Sequence, residues 1–240
     1  MTDAPQPVLA YWRKAFAGCQ PDDPAEVSYA ISDTLNPKRP VMILEKVDGS
    51  VCAAIRPEVA DRAGVGFADR LSIEGFKARL EGAGIILHDP DCLFYRGNGA
   101  AFLPRADKAI PVRRIAEDDR RVFEAFLAEA SEQDKEDAWV ELDHWAVFGC
   151  FDGMRLVSAA SAYLWTDSPM ADLGVLTLPE ARGRGYARAV VQAISGFARS
   201  HGYEPQYRCQ LDNHPSIGLA KACDLTMFGT WTVAVDQNGP

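Results

Sequence analysis

The sequence lacks the residue spacing of a zinc site. Six cysteines are present, but no two of them form a CxxC pair and no histidines cluster beside them. Tetrahedral zinc sites are usually built from such closely spaced ligands. We therefore expect no metal. Cys150 and Cys209, which fall in predicted core strands, are interpreted as small buried hydrophobic residues.

Neither an export signal nor a membrane-spanning segment is present. Residues 1–5 lack a charged stretch followed by an apolar one, and no apolar run has the length that a bilayer requires. Positive charge is also scarce, with 25 lysines and arginines against 34 aspartates and glutamates and a formal net charge of −9. A protein that coats nucleic acid carries the opposite balance, whereas negative charge would attract a cationic acceptor such as an amine. We expect a soluble, cytoplasmic protein with no nucleic-acid and no membrane partner.

The most informative segment that is present is a glycine turn at residues 182–187, Arg-Gly-Arg-Gly-Tyr-Ala. It follows a mostly apolar run, Asp172–Leu178, which has the composition of a central strand. A helix comes next, because apolar residues recur from Ala187 to Ala198 at the spacing of one buried face, and Gly202 ends it. Glycines let several backbone N–H groups point at one spot, and the helix dipole adds partial positive charge there. The turn therefore suits phosphate oxygens.

Two familiar phosphate loops are absent. A Walker loop needs a Gly-Lys-Ser or Gly-Lys-Thr ending, and a dinucleotide fingerprint needs three glycines followed by an acidic residue about 20 positions later. Instead, Gly183 and Gly185 alternate with Arg182 and Arg184. This pattern suits a pyrophosphate held by main-chain amides, with cationic side chains over its outer oxygens. Alternatively, the two arginines are ordinary solvated side chains.

With these residues, the segment 175–187 resembles the acyl-CoA-binding segment of the GNAT superfamily of N-acetyltransferases. The family signature is Gln/Arg-x-x-Gly-x-Gly/Ala, and Arg182, Gly185 and Ala187 occupy its fixed positions. Downstream, residues 213–219 are similar to the family's Asn-x-x-Ser/Ala-x-x-Leu opening of the next helix. One helix and one strand separate the two segments, as the resemblance requires.

The order of the predicted elements agrees with this resemblance. A strand and a helix are predicted over residues 112–130, and a hairpin over residues 145–165 turns at Asp152-Gly153. The resemblance covers about residues 109–236. It implies an α+β fold, with a mixed sheet flanked by helices.

The amino-terminal part predicts an additional α+β domain. At 240 residues and 48% hydrophobic side chains, the chain can bury a full core in one or two domains. Glycine and polar residues concentrate at 97–107, so we predict one domain at 1–108 and the GNAT-like domain at 109–240. The first is interpreted as an accessory domain or as a degenerate copy of the same fold. The elements expected there are a helix at 9–17, a hairpin at 40–55, a helix capped by Ser72 that ends near Gly82 or Gly84, and strands at 85–88 and 92–95.

The resemblance implies acetyl-CoA as co-substrate and indicates the residues that would hold it. Main-chain amides of the central strand would face the thioester near a bulge where two strands part, and the turn would hold the diphosphate. Asn213 would orient the pantetheine arm or, alternatively, cap the next helix. The implied cofactor-binding residues are Val175, Leu176, Thr177, Arg182, Gly183, Arg184, Gly185, Tyr186, Ala187 and Asn213.

Acetyl transfer to an amine would require a proton acceptor. At pH 7 an unperturbed lysine-like amine, with a pKa of about 10.4, is deprotonated in about one molecule in two thousand, so a base must take its proton. Asp172, on the central strand, is the catalytic candidate; alternatively, it is a structural residue that pairs with a neighbouring turn. Glu141, Asp143 and His144 are further candidates, or solvated residues at a helix end.

The leaving thiolate is where the sequence departs from the family. Many members carry a tyrosine seven residues after the asparagine to protonate the sulfur, and here that position is Ala220. Ser216 is the candidate donor, although a serine at the start of a helix also serves as a cap. Asp224 replaces a glycine that the family commonly has, and aspartate tolerates the left-handed conformation better than most residues. Tyr163 and Trp165 would line the acceptor pocket or pack at its rim.

The oligomeric state, including a homodimer, stays open, and acceptor pockets in this fold are assembled from variable loops. We predict an N-acetyltransferase that moves the acetyl group of acetyl-CoA to a primary amine of a small molecule or peptide by direct attack. The competing hypothesis is a non-catalytic module that binds acyl-CoA as a sensor or scaffold. The missing tyrosine favours that second hypothesis.

Overall fold

Two compact units make up the chain. The first comprises Met1–Leu93, Cys209–Asn213 and Met227–Pro240, and the second comprises Phe94–Arg208 and His214–Thr226. The domain boundary predicted between residues 108 and 109 lies outside the described residues and stays a prediction. The computed structural model of the protein describes residues 4–20, 23, 25–66, 69–97, 110–165 and 168–234.

Helices and strands both contribute substantially, and the fold is α+β, as predicted. The helices are α1 (Gln6–Ala15), α2 (Pro57–Ala63), α3 (Ile73–Gly82), α4 (Arg120–Ala128), α5 (Glu132–Ala138), α6 (Tyr186–Ser200) and α7 (His214–Ala222). The strands are β1 (Val27–Ile31), β2 (Val41–Lys46), β3 (Val51–Ile55), β4 (Asp91–Tyr95), β5 (Val112–Arg114), β6 (Ala146–Asp152), β7 (Arg155–Leu164), β8 (Met170–Thr177), β9 (Glu204–Gln210) and β10 (Thr226–Val233).

In the first unit, four strands run in the order β1-β3-β2-β10. The predicted hairpin is confirmed as β2 and β3, and its turn holds Gly49 at φ 85°, a left-handed conformation that glycine adopts without steric cost. β1 joins parallel to β3, and β10 joins antiparallel to β2. Their apolar side chains, including Ile43 and Ile55, share one core with Phe76 and Leu80 of α3.

The helix expected after Ser72 is confirmed as α3, and the serine side chain caps it. The strand predicted at 85–88 is wrong. The Ile85 amide donates to the Leu80 carbonyl at 2.9 Å, so this residue still belongs to the turn that ends α3, and Leu87 alone forms a bridge. β1 and α2 were not predicted. The signals of α2 were present, because Pro57 begins it and Gly64, at φ 62°, ends it.

In the second unit, five strands run in the order β9-β8-β7-β6-β5. β8 and β9 are parallel and the other neighbours are antiparallel, so the sheet is mixed. The predicted hairpin is confirmed as β6 and β7, with Gly153 at φ 62° in its turn. The helix predicted after the glycine turn is confirmed as α6, whose buried face includes Val190, Ile194 and Ala198 and packs against β6, β7 and β8.

Helix α5 is an addition that the sequence analysis did not predict. Its signal was present, because the Ser131 Oγ accepts from the Asp134 amide at 3.1 Å as an N-cap. The end of α5 packs directly on β8 at Gly174. A Cβ there would lie 2.1 Å from the Ala138 carbonyl oxygen and 3.0 Å from that of Trp139. Gly174 therefore sets how closely this loop approaches the central strand.

A Gly174→Ala substitution is expected to destabilise the protein by about 1–3 kcal/mol, because the added methyl group must displace backbone rather than a flexible side chain. Urea unfolding measures this change. Gly218→Ala is the control, since it lies in α7 with nothing within 4 Å of an added Cβ, and helix propensity predicts a stabilisation of about 0.5–1 kcal/mol. An unchanged unfolding free energy for Gly174→Ala would contradict the close contact between α5 and β8.

Candidate active site

The central strands β8 and β9 part from each other along their length. In the described part of the chain, their parallel pairing runs from Met170 opposite Glu204 to Leu173 opposite Tyr207 and then ends. β8 nevertheless continues to Thr177. The pairing of β8 with β7 on its other side has no register shift, so the expected bulge is absent from β8. The result is an opening beside the second half of β8.

The direction of each β8 amide follows from hydrogen bonds at the two ends of the strand. The Trp165 amide donates to the Met170 carbonyl and the Leu178 amide donates to the Val157 carbonyl, both at 3.0 Å. Because backbone groups alternate in direction along a strand, even-numbered residues bond to β7 and odd-numbered ones face the opening. Of the three amides predicted to face a ligand, those of Val175 and Thr177 therefore do so, and that of Leu176 faces β7.

The glycine turn follows β8 after a short 3-10 turn at Pro179–Ala181. Gly183 and Gly185 have φ values of 73° and 88°, which other L-residues rarely adopt. The amide of Ala189 donates to the Gly185 carbonyl at 3.1 Å as a first helical bond of α6. The amides of residues 186–188 precede it and have no partner within the helix. Together with the helix dipole, these amides have the donors and the partial positive charge that favour an anion at a helix N-terminus.

The arginines of the turn have different surroundings. Arg182 is held by the protein, because its Nε donates to the Thr177 carbonyl at 3.1 Å and its Nη2 to Asp134 at 2.8 Å. Arg184 pairs with Asp152 at 3.3 Å, and both side chains are more than half exposed. Such an exposed pair contributes little stability. The Arg184 guanidinium can therefore exchange this partner for a more highly charged anion.

Asp172 lies where β8 is still paired with β9, which is the closed end of the opening. It is only 3% exposed. Within the described residues its carboxylate accepts four hydrogen bonds, one from Tyr163 Oη, one from Gln206 Nε2 at 3.0 Å, and two from Arg208 at 3.1 and 2.9 Å. Three of these bonds end on Oδ2 and one on Oδ1. Burial, followed by the charge of Asp172, raises the pKa of Tyr163. These surroundings favour the structural alternative for Asp172.

A second group of side chains, the Trp139 cluster, comprises Trp139, Glu141, His144, Ser161 and Tyr163. The ring centroids of Trp139 lie 5.1 Å from His144 and 4.6 Å from Tyr163. His144 Nδ1 is 2.7 Å from Ser161 Oγ, and its Nε2 is 3.4 Å from Glu141 Oε2. The Trp139 indole N–H donates to Glu141 Oε1 at 3.0 Å. Because Ser161 pairs with Gly174 across β7 and β8, the cluster lies where the opening begins.

The structure brings together some of the residues predicted for proton transfer. Glu141 and His144 belong to the Trp139 cluster, whereas Asp143 is exposed. Tyr163 joins the cluster to Asp172. Trp139 was missed, since an isolated tryptophan after an unpredicted helix carries no periodic signal. It is 48% exposed and has φ 43°.

The predicted residues near α7 occupy the start and the buried side of that helix. Asn213 directly precedes α7, and Ser216 lies in its first turn and is partly exposed. Ala220, the position of the family tyrosine, is fully buried. Asp224 has φ 57°, which confirms that the aspartate adopts the left-handed turn.

An opened central strand that leads into a glycine turn at a helix N-terminus is the geometry that the sequence resemblance implied. Residues 112–224 match the model of the acetyltransferase (GNAT) family. The carboxyl half of the chain is a GNAT domain. The family match includes α4 to α7 and β5 to β9, and it supports acetyl transfer as the general activity of this half.

Two solved structures are similar to part of the chain. A GCN5-related N-acetyltransferase from Kribbella flavida is 15% identical, with a TM-score of 0.50 over 69% of this chain and 65% of its own. An acetyltransferase from the GNAT family from Colwellia psychrerythraea is 15% identical, with a TM-score of 0.48 over 68% of this chain and 62% of its own. The chain thus spans less than two thirds of the length of either neighbour. No curated protein matches the chain in sequence.

The described ranges contain no candidate membrane-spanning helix and no candidate metal-binding group. None of their helices combines the length and apolar composition needed to cross a bilayer. Their histidine, cysteine, aspartate and glutamate side chains form no group of three or more that could hold a metal ion.

His144 should make stability depend on pH. Burial lowers its pKa from the ordinary value of 6.5, although Glu141 and Asp143 oppose the effect. Below about pH 6.5 the unfolded chain binds a proton that the folded chain does not. The stability that neutral His144 contributes is therefore present above about pH 6.5 and is lost as the pH falls toward the folded-state pKa.

We expect His144→Gln to weaken the pH dependence of the unfolding free energy between about pH 7 and pH 5, measured by urea titration at each pH. His201→Gln is the control, because His201 is an exposed histidine of the same GNAT domain. Identical pH profiles for the two variants would contradict a buried neutral His144.

Proposed function

We propose that the GNAT domain transfers the acetyl group of acetyl-CoA to a primary amine of a small molecule or peptide, by direct attack on the thioester. The observation that carries this proposal is the continuity between the opening and the anion site. Strand β8 borders the first and leads, through one short turn, into the second. A ligand with a diphosphate at one end and a thioester at the other fits this order.

The exposed amides of β8 would serve the thioester end. Those of Val175 and Thr177 face the opening, as the alternation of hydrogen bonds along β8 requires. One of them would donate to the pantetheine arm or to the oxyanion that forms when the amine attacks the carbonyl. A fixed oxyanion donor of this kind contributes about 10²–10³ in rate.

The start of α6 would hold the diphosphate. Its first turn contains Arg188 and no acidic residue. A cation at a helix N-terminus is unfavourable unless an anion is bound there, so this composition supports a bound diphosphate. Arg184 would turn from Asp152 to the phosphates. Arg182, tied to Thr177 and Asp134, would hold the turn in place, and its contribution to phosphate binding would be mainly its charge.

Asp172 and Ser216 receive different roles in this proposal. Because the Asp172 carboxylate already accepts four hydrogen bonds, we assign it a supporting role at the closed end of the opening. Ser216, in the first turn of α7, remains the proposed donor to the departing thiolate. Its hydroxyl can donate one proton and replace it from water.

The second candidate function is a module that binds acyl-CoA without turning it over. Ala220 favours this second function. It stands where many family members have the tyrosine, and it is fully buried, so a phenol could occupy this position only if the surrounding residues repacked. The engagement of Asp172 favours it as well. The two functions differ in one measurable respect, which is whether an amine accelerates loss of the acyl group.

We expect purified protein to release free thiol from acetyl-CoA in the presence of an amine. The panel consists of putrescine, spermidine, glucosamine and a lysine-containing tetrapeptide, and the reaction without amine is the control. Thiol release that depends on the amine would exclude the sensor. Tight binding of acetyl-CoA with no release on any amine of the panel would support the sensor instead.

The proposed anion site predicts different CoA affinities for substitutions at two matched glycines, one at each end of α6. Gly185 and Gly202 both have left-handed φ values, of 88° and 83°, which aspartate tolerates better than most residues. Gly185→Asp places a negative charge at the proposed diphosphate site and should weaken CoA binding at least tenfold, or about 1.4 kcal/mol. Gly202→Asp should leave the affinity unchanged. Calorimetry with CoA measures both, and equal affinities in two folded variants would contradict the site.

A further inference from the structure

The carboxylate of Glu141 has a ring nitrogen near each of its oxygens, and one of the two donates a hydrogen bond. The Trp139 indole N–H donates to Oε1 at 3.0 Å, and His144 Nε2 lies 3.4 Å from Oε2. The Glu141 side chain is still 50% exposed. The indole hydrogen bond therefore orients the carboxylate, while the side chain stays accessible to an incoming group.

The tautomer of His144 follows from Ser161, which is completely buried. The Ser161 hydroxyl oxygen accepts from the Glu141 amide at 3.4 Å, and its own hydrogen needs an acceptor. Among the described residues, His144 Nδ1, at 2.7 Å, is the acceptor that bonds to it. A neutral imidazole that accepts at Nδ1 carries its proton on Nε2. Ser161 therefore directs the His144 N–H toward Glu141.

The position of Glu141 relates it to the opening. Its amide bonds to Ser161, which pairs with Gly174, and Gly174 directly precedes the first opening-facing amide, that of Val175. The half-exposed indole of Trp139 lies beside the carboxylate. The carboxylate lies at the N–H edge of this ring, and its negative charge attracts an organic cation.

We propose that Glu141 binds the ammonium group of the acceptor and takes its proton, and that Ser161 positions Glu141 through His144. This inference rests on the proposed acetyl transfer. Glu141 first takes one proton from the bound ammonium and passes it to solvent, which frees the nitrogen lone pair for attack. As the N–C bond forms, the carbonyl electron pair moves to its oxygen, the nitrogen becomes acidic, and a second N–H proton passes to a Glu141 oxygen. When the carbonyl reforms, the C–S bond breaks and the thiolate takes a proton from Ser216, which regains one from water, or from water directly. Glu141 returns the second proton to solvent. The acceptor class is thus a primary alkylammonium.

Few titratable groups of the described residues face the arrangement of Glu141, His144 and Ser161. Glu141 and Asp143 act on His144 from its own loop, and Tyr163 contacts its ring from β7 at a centroid distance of 5.6 Å. Asp172 and Arg208 act through Tyr163 and are paired with each other. The pH dependence of the reaction is therefore compared with the protonation of the acceptor amine and of His144.

The first test compares Glu141→Gln with Glu136→Gln, which changes an exposed glutamate of α5 in the same way. The probe is the amine of the panel above with the highest rate. Glu141→Gln should lower kcat/KM for this amine about 10²-fold or more at pH 7. The deficit should shrink as the pH approaches the pKa of the amine, near 10. CoA affinity should not change, and Glu136→Gln should match the unsubstituted protein. A Glu141→Gln variant within twofold of the unsubstituted protein at every pH would overturn the assignment.

The second test does not depend on turnover. Imidazole nitrogen shifts of ¹⁵N-labelled protein, assigned with His144→Gln, should show the Nε2–H form of His144 near pH 7.5, and Ser161→Ala should abolish this preference. An Nδ1–H form in the unsubstituted protein would overturn the positioning role. The expected tautomer together with no transfer to any amine would refute the proposed function and the proton-accepting role of Glu141, and would leave the positioning role supported.

Discussion

A buried carboxylate fixes the closed end of the opening, and the candidate site depends on it. Asp172 of β8 accepts hydrogen bonds from Tyr163 of β7 and from Gln206 and Arg208 of β9, and Gln206 in turn accepts from Tyr95 of β4. Four strands are thus joined at one level of the sheet. β8 and β9 part only beyond this level. The ion pair and its neutral neighbours leave no buried charge uncompensated, which a low-dielectric interior requires.

The parts of the GNAT domain that could be predicted from sequence are those with local causes. The spacing of apolar residues predicted α6, the Asp152-Gly153 pair predicted the hairpin, and Gly183 and Gly185 predicted the turn. Each pattern is confirmed, because helix periodicity and left-handed turns are set by residues only a few positions apart. The proposed anion site has causes of the same local kind, since one turn and the helix that follows it would form it, and it stays a prediction.

The residues that could not be predicted depend on partners far apart in sequence. The sequence places Asp172 on the central strand, which made it a candidate base. Gln206 and Arg208 donate hydrogen bonds to it, but only the parallel pairing of β8 and β9 brings them beside it. Trp139 needs α5, Gly174 and β7 to reach its place. The same reason applies to the first unit, where β10, near the end of the chain, pairs with β2 near its beginning. Strand register at such separations is decided by packing, which a single sequence does not display.

Because Gly174 has no side chain, the part of β8 proposed to bind the thioester lies directly against the segment that carries Trp139, next to Glu141, the residue proposed to bind the amine. The carbonyls of Ala138 and Trp139 rest against the main chain of β8 with nothing compressible between them. In the proposed mechanism, a thioester that shifts this stretch of β8 on binding would also shift the Trp139 indole and the Glu141 carboxylate. Donor and acceptor would then influence each other's affinity through the backbone, and by thermodynamic reciprocity each would do so by the same factor.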